Sequence, residues 1–123
     1  MDVRIVVVDD DRANVELLRR MLVRAGYDSV VATDDPASGI DVCLHEPVGL
    51  LLLDLHMGGI DGYEVMSRVL AKDADLPIIV VTGDAAREVR ERAIAAGAAD
   101  VLVKPFEYED LLTQVSAQLR SPV

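Results

Sequence analysis

The stretch LLLLDLHMGGIDGYEV, residues 50–65, holds the reading on which the fold turns. Four consecutive leucines have no polar face, so they do not suit a half-solvated strand. They suit a strand buried on both sides, as in a parallel sheet covered by helices. The run ends on a carboxylate, Asp54, and then passes through a glycine-rich turn into Val65, Val69 and Leu70, which follow Gly62 at helical spacing. Strand, turn and helix in that order make one unit of an α/β fold.

The same unit recurs on either side. Short apolar runs at Val3 to Val8, Ser29 to Ala32, Gly49 to Leu53, Leu76 to Val81 and Val101 to Val103 predict five buried strands. Helical spacing appears between them. Val15, Leu18 and Leu22 follow Asp11, which reads as the cap of a helix from Arg12 to Ala25. Pro36 stands in the first turn of a second helix. Residues 85–96 are alanine-rich with Arg87, Glu88, Arg90 and Glu91 outward, and Leu111, Val115 and Leu119 follow Glu107. Gly26 and Gly97 fall just past helices, where a left-handed residue ends the helix well. Five strand–helix units in a row predict a parallel sheet with helices on both faces, in a single domain over residues 1–123. No linker, repeat or low-complexity segment interrupts them.

Composition narrows the function. At 123 residues and 51% hydrophobic, the chain can fill one core. Its formal charge of −10, from 22 acids against 12 bases, repels nucleic-acid backbones and anionic membranes, so cations or basic surfaces are the expected partners. The one cysteine, Cys43, allows no internal disulfide and reads as a small buried side chain. No apolar run approaches the roughly 20 residues of a membrane helix, and the expectation is a soluble, cytoplasmic protein. His45 reads as solvent-facing.

In a parallel sheet of this kind, ligands bind beyond the carboxyl ends of the strands. Asp9, Asp10 and Asp11 stand at the first strand end, Asp54 at the third, Thr82, Gly83 and Asp84 at the fourth, and Lys104 with Pro105 at the fifth. Carboxylates converging there repel one another unless a hard divalent cation neutralises them, and an oxygen-only ligand set suits Mg2+. A lysine ammonium and a threonine hydroxyl opposite could hold phosphoryl oxygens. The pattern is that of a site for moving phosphate.

The acidic pair Asp9-Asp10, the run LLLDLHMGGIDGYEV, the VTG at 81–83 and GAADVLVKPF at 97–106 together resemble the receiver domain of two-component response regulators, over essentially the whole chain. The resemblance implies a doubly wound (βα)5 fold with flavodoxin-like strand order 2-1-3-4-5. It implies Asp54 as the acceptor of a phosphoryl group from a histidine kinase or phosphotransfer protein, and a Mg2+ ion held by Asp10 directly, by Asp9 through water, by Asp54 and by the backbone carbonyl of His56. Thr82 and the Gly83 amide would contact the phosphoryl oxygens, and Lys104 would pair with one of them. The side chains of His56 and Asp84 would tune the lifetime of the phosphorylated state. A C-terminal output domain in a longer chain and a phosphorylation-dependent dimer are further implications, and the domain would catalyse only its own phosphorylation and dephosphorylation.

Two departures from the family's pattern stand out. Gly58 replaces a usual proline, which should loosen the loop after Asp54. Val101 replaces the usual aromatic three residues before the lysine; the family's switch couples the threonine's movement to rotation of that ring, and a valine cannot swing in and out in the same way. Two other readings compete. DLHMGG fits the D-x-H-x-x-G by which cobalamin-binding domains offer a histidine to cobalt, here His56. VVVDDD fits the D-x-D of haloacid-dehalogenase-like phosphatases, with Asp9 as nucleophile and Asp11 as acid/base. The first leaves Asp9, Asp10 and Lys104 unexplained, and the second leaves Asp54 idle.

Overall fold

A computed structural model describes residues 3–57 and 59–120. Five strands, β1 (Ile5–Val8), β2 (Val30–Thr33), β3 (Leu50–Asp54), β4 (Ile78–Thr82) and β5 (Asp100–Val103), alternate with five helices, α1 (Arg12–Arg24), α2 (Pro36–His45), α3 (Gly62–Lys72), α4 (Arg87–Ala95) and α5 (Tyr108–Gln118). All strand pairs are parallel and the order is β2-β1-β3-β4-β5, as expected. Gly58 lies outside the described residues, and with it the expectation about its loop.

The sheet explains why its strands carry no alternation. Val6, Val8, Leu51, Leu53, Ile78, Val80 and Val101 face one way and join Ile40, Cys43, Val65, Met66, Val69 and Ala93 of α2, α3 and α4. Ile5, Val7, Leu50, Leu52, Ile79, Val81 and Leu102 face the other way and join Leu18 and Leu22 of α1 and Leu111 and Val115 of α5. Each residue of the three central strands is therefore buried whichever way it points. The edge strand β2 is only half-buried.

Boundaries differ from expectation by a residue or two. β1 begins at Ile5 rather than Val3, β2 runs one residue later than expected, and β4 begins at Ile78 but takes in Thr82. Leu119 is the C-cap of α5 rather than part of it, and still packs against the core. Caps set the helix starts: Asp11 Oδ1 accepts from the Ala13 amide at 2.9 Å, Asp35 Oδ1 from Ala37 at 3.2 Å, and Asp61 Oδ1 from Glu64 at 2.9 Å. Gly26 and Gly97 have φ of 98° and 114°, as their helix-ending role requires. Cys43 is buried, and burial pushes its thiol up to about 11. His45 is exposed. Among the described residues no helix is long and apolar enough to cross a membrane.

A polar clamp closes the amino-terminal edge of the sheet. Arg120 donates to the Val48 carbonyl from Nε at 3.1 Å and Nη2 at 2.7 Å, and to Asp73 Oδ1 from Nη1 at 3.2 Å, with a further bond from Nη2 to Asp73 Oδ2. The Arg120 guanidinium holds the Asp73 carboxyl below the usual aspartate range. Arg120→Ala should lower stability by about 1–2 kcal/mol, since the groups are partly solvated. A carboxyl lowered by folding stabilises above its unfolded value and loses that contribution as pH falls through the folded one. The difference between wild type and variant in urea midpoints should therefore shrink on acidification; equal midpoints at neutral pH would count against the clamp.

Candidate functional site

Register assembles the site. β1 and β3 pair Val8 with Leu53, so Asp9 and Asp54 follow side by side at the carboxyl edge. β3 and β4 pair Asp54 with Val81, and β4 and β5 pair Thr82 with Val103. Thr82 therefore stands one strand from Asp54. The Lys104 amide donates to the Thr82 carbonyl at 2.7 Å, which sets the lysine at the same edge. The peptide that follows, Lys104-Pro105, is cis.

The carboxylates meet as expected. One oxygen from each of Asp9, Asp10 and Asp54 lies within 4.8 Å of the others. Asp9 is 1% exposed and Asp54 7%, whereas Asp10 faces solvent. Asp9 Oδ1 accepts the Asp11 amide at 2.9 Å and Asp54 Oδ1 accepts the His56 amide at 3.2 Å. Lys104 Nζ stands 3.3 Å from Asp9 Oδ2 and 4.0 Å from Asp54 Oδ2. One ammonium thus stands beside two of the three clustered carboxylates. Burial pushes the Asp54 carboxyl up and the neighbouring Asp9 charge adds to this, while the His56 amide and Lys104 pull it back. Three clustered carboxylate oxygens, two of them desolvated and with one open side at Asp10, fit a hard divalent cation by charge and by donor type.

The remaining candidates are arranged less simply. Thr82 is fully buried and its Oγ1 accepts the Asp84 amide at 3.1 Å. Asp84 is exposed, and its Oδ1 accepts the Ala86 amide at 2.9 Å, so it shapes the turn into α4 as well as standing near the rim. Gly83 and the His56 side chain are exposed. Val101 is 5% exposed, and its carbonyl accepts from Gln114 Nε2 at 3.2 Å. Asp11 is turned to the Ala13 amide and is not one of the three clustered acids.

Gly62 carries a contact that the sequence reading missed. A Cβ there would stand 2.7 Å from both the Asp54 carbonyl oxygen and Leu55 Cα, and the Gly62 amide donates to the Leu55 carbonyl at 3.1 Å. The signal is a glycine in the first turn of a helix capped by Asp61, a place where a better helix former would be chosen unless space forbade it.

The family model of the response regulator receiver domain matches residues 5–116. The chain belongs to this family. As a receiver domain it is similar to Response regulator MprA of Mycobacterium bovis BCG, at 42% identity over 120 residues, which cover 98% of this chain and 52% of the relative. It thus spans about half the length of the curated relatives it matches. Its fold is similar to chemotaxis protein CheY4 of Vibrio cholerae, with TM-score 0.89 and 25% identity over 97% of this chain and all of that one. It also resembles the receiver domain of sensor histidine kinase PA1611 of Pseudomonas aeruginosa PAO1, with TM-score 0.86 and 26% identity over 96% of this chain and 98% of that one; that structure has a magnesium ion in its active-site cleft. Nothing in these likenesses favours the cobalamin or phosphatase reading.

A groove of about 340 Å³ lies between α1 and the segment after β5 and shares Lys104 with the site. Leu17, Leu18 and Met21 of α1 line one side, and Lys104, Pro105 and Phe106 the other.

Proposed function

We propose that residues 1–123 act as one phosphoacceptor unit, in which Asp54 takes a phosphoryl group from the phosphohistidine of a histidine kinase or phosphotransfer protein. The observation that supports this most is the convergence of Asp9, Asp10 and Asp54 with Lys104 between two of them. An Asp54 oxygen forms a bond to phosphorus as the bond from phosphorus to the imidazole nitrogen breaks. The product is an acyl phosphate. Hydrolysis of that bond by water returns the carboxylate and inorganic phosphate.

Mg2+ would be held by Asp10 and Asp54 and the His56 carbonyl, with Asp9 helping through water, and when bound supplies charge neutralisation for the transferring group. The chain's own groups do the rest. The buried leucines of β3 hold the Asp54 backbone rigidly. Lys104 is placed to follow the phosphoryl oxygens. The Thr82 oxygen accepts from the Asp84 amide, and its O–H donates to a phosphoryl oxygen, with the Gly83 amide beside it. The apolar groove between α1 and Phe106 offers the kinase or phosphotransfer protein a seat next to Lys104. An output domain in a longer chain, or a partner that recognises the phosphorylated form, completes the signalling role in the cytoplasm.

Incubation with acetyl phosphate and Mg2+, followed by intact-mass measurement, tests the reading. One added phosphoryl group is expected with Mg2+ and none after chelation. An unchanged mass with Mg2+ present would overturn it.

Clustered acids held together by the fold also make a stability prediction. Mg2+ at 100 times its Kd should stabilise by about 2.7 kcal/mol through binding to the native state. Asp10→Asn should raise the melting temperature of the metal-free protein and remove most of the Mg2+ response, because it deletes one of the repelling charges. A thermal scan in which neither change moves the midpoint counts against a shared site.

Rim groups should affect lifetime instead. His56→Ala and Asp84→Ala are expected to change phosphoprotein decay severalfold with Mg2+ affinity nearly unchanged, since both side chains are exposed where water must approach. Decay curves beside a Mg2+ titration check this. Unchanged decay in both variants would refute it.

A further inference from the structure

Helix α3 is attached at its first two residues to two different parts of the molecule. Gly62 lies against the backbone of Asp54 and Leu55 with no room for a Cβ, and its amide is hydrogen-bonded to the Leu55 carbonyl. Tyr63, the next residue, is half-buried against the core cluster that includes Ala93 and Val101, and the guanidinium of Arg92 from α4 lies over its ring, 4.1 Å from the centroid. A displacement of the Asp54–Leu55 backbone toward α3 therefore presses on Gly62, and Tyr63 stands next to it against α4.

The alternative route through β5 is poorly equipped. Val101 is buried, its carbonyl is held by Gln114 and its amide by the Asp100 carboxylate at 2.8 Å. A β-branched side chain with one stiff torsion has no ring to move between a buried and an exposed position. The Arg90–Asp100 pair, 3.3 Å apart, does join α4 to β5, but Arg90 is exposed and the pair is screened by water.

We infer that this receiver passes the state of Asp54 to α4 through Gly62, Tyr63 and the Tyr63–Arg92 stack, so that α3 takes over the coupling for which β5 lacks an aromatic. The inference rests on the acceptor role of Asp54. Tyr63 and Arg92 are positioning residues in it: neither belongs to the carboxylate cluster. The relay requires two arrangements of the stack, ring and guanidinium in contact as in this structure or apart, and the phosphoryl group would bias the choice by moving the strand end on which α3 is seated.

Amide chemical-shift mapping with Mg2+ and beryllofluoride, a phosphoryl mimic, tests this in wild type, Tyr63→Ala, Tyr63→Phe and Arg92→Ala. For each protein the shift is the difference between its own bound and free forms. In wild type, residues 54–56 and 82–84 should shift most, residues 87–96 measurably, and residues 100–103 and 107–118 least. Tyr63→Ala and Arg92→Ala should each reduce the shifts of 87–96 by about twofold or more while those of 54–56 and 82–84 persist. Tyr63→Phe keeps the ring and should behave as wild type. Undiminished α4 shifts in both alanine variants, or a wild-type α4 that does not respond, would overturn the relay with the acceptor role intact. An absence of shifts at 54–56 would instead overturn the acceptor reading itself. Arg92 is exposed, so Arg92→Ala remains informative should Tyr63→Ala fail to fold.

Discussion

Asp54→Asn should take up no phosphoryl group from acetyl phosphate under conditions in which the wild type is fully modified. An amide is neutral and offers no carboxylate oxygen to phosphorus, so the change removes the proposed nucleophile rather than weakening it. The neighbouring acids make poor substitutes. Asp9 is 1% exposed, with one oxygen on the Asp11 amide and the other on Lys104. Asp10 is the solvent-exposed member of the cluster. Lys104→Ala should be a graded loss by comparison, because it leaves the nucleophile but removes the ammonium that lies within 4.0 Å of Asp9 and Asp54. Deleting one preorganised electrostatic group of this kind costs on the order of 10²- to 10³-fold in rate. Asp10→Ala should remove the Mg2+ dependence, and Asp9→Ala should only weaken it. Intact-mass measurement over time separates the cases, and an Asp54→Asn protein modified as fully as wild type would show the acceptor to be misassigned.

The convergence of these residues is largely legible in the sequence, and there is a physical reason. In a parallel sheet every strand ends at the same edge, so polar residues that close apolar runs must become neighbours, as Asp9, Asp54, Thr82 and Lys104 do. Leucines on both faces of β3 imply two covering layers, and both are there. The two-layer burial also hides strand ends: Leu76 is as buried as a strand residue yet precedes Pro77 and β4, and hydrophobicity cannot tell the two apart. Pairings between side chains distant in sequence are not legible at all. Arg120 reaches Asp73 and Val48, and Arg92 reaches Tyr63, through docking of whole helices, which no local pattern records. Nor does the pattern show that Thr82 Oγ1 accepts the Asp84 amide, because that depends on the turn into α4.

Gly62→Ala should impair both stability and phosphorylation although the residue has no functional group. The methyl would stand 2.7 Å from the Asp54 carbonyl oxygen and from Leu55 Cα, and both are backbone, which cannot swing aside as the tip of a side chain can. Either α3 backs away from the sheet, exposing Val65 and Val69, or the end of β3 is pushed. Overpacking of this kind costs about 1–3 kcal/mol, against a gain in helix propensity of at most about 1 kcal/mol that shrinks in the first turn. Stability should therefore fall on balance. The larger effect is on phosphorylation, because Asp54 is the residue pushed: a displacement near 1 Å of a reacting group can cost on the order of 10²-fold. Two other glycines provide the controls. Gly83 has nothing within 4 Å of an added Cβ, so Gly83→Ala should leave stability nearly unchanged. Gly59 also has open space but a φ of 85°, so Gly59→Ala should lose stability through backbone strain, by about 1 kcal/mol, while phosphorylation proceeds. If Gly62→Ala slows phosphoryl uptake far more than Gly59→Ala at matched loss of stability, the seat of α3 on the strand end positions the acceptor. Equal uptake in the two variants would show that the contact bears only on stability.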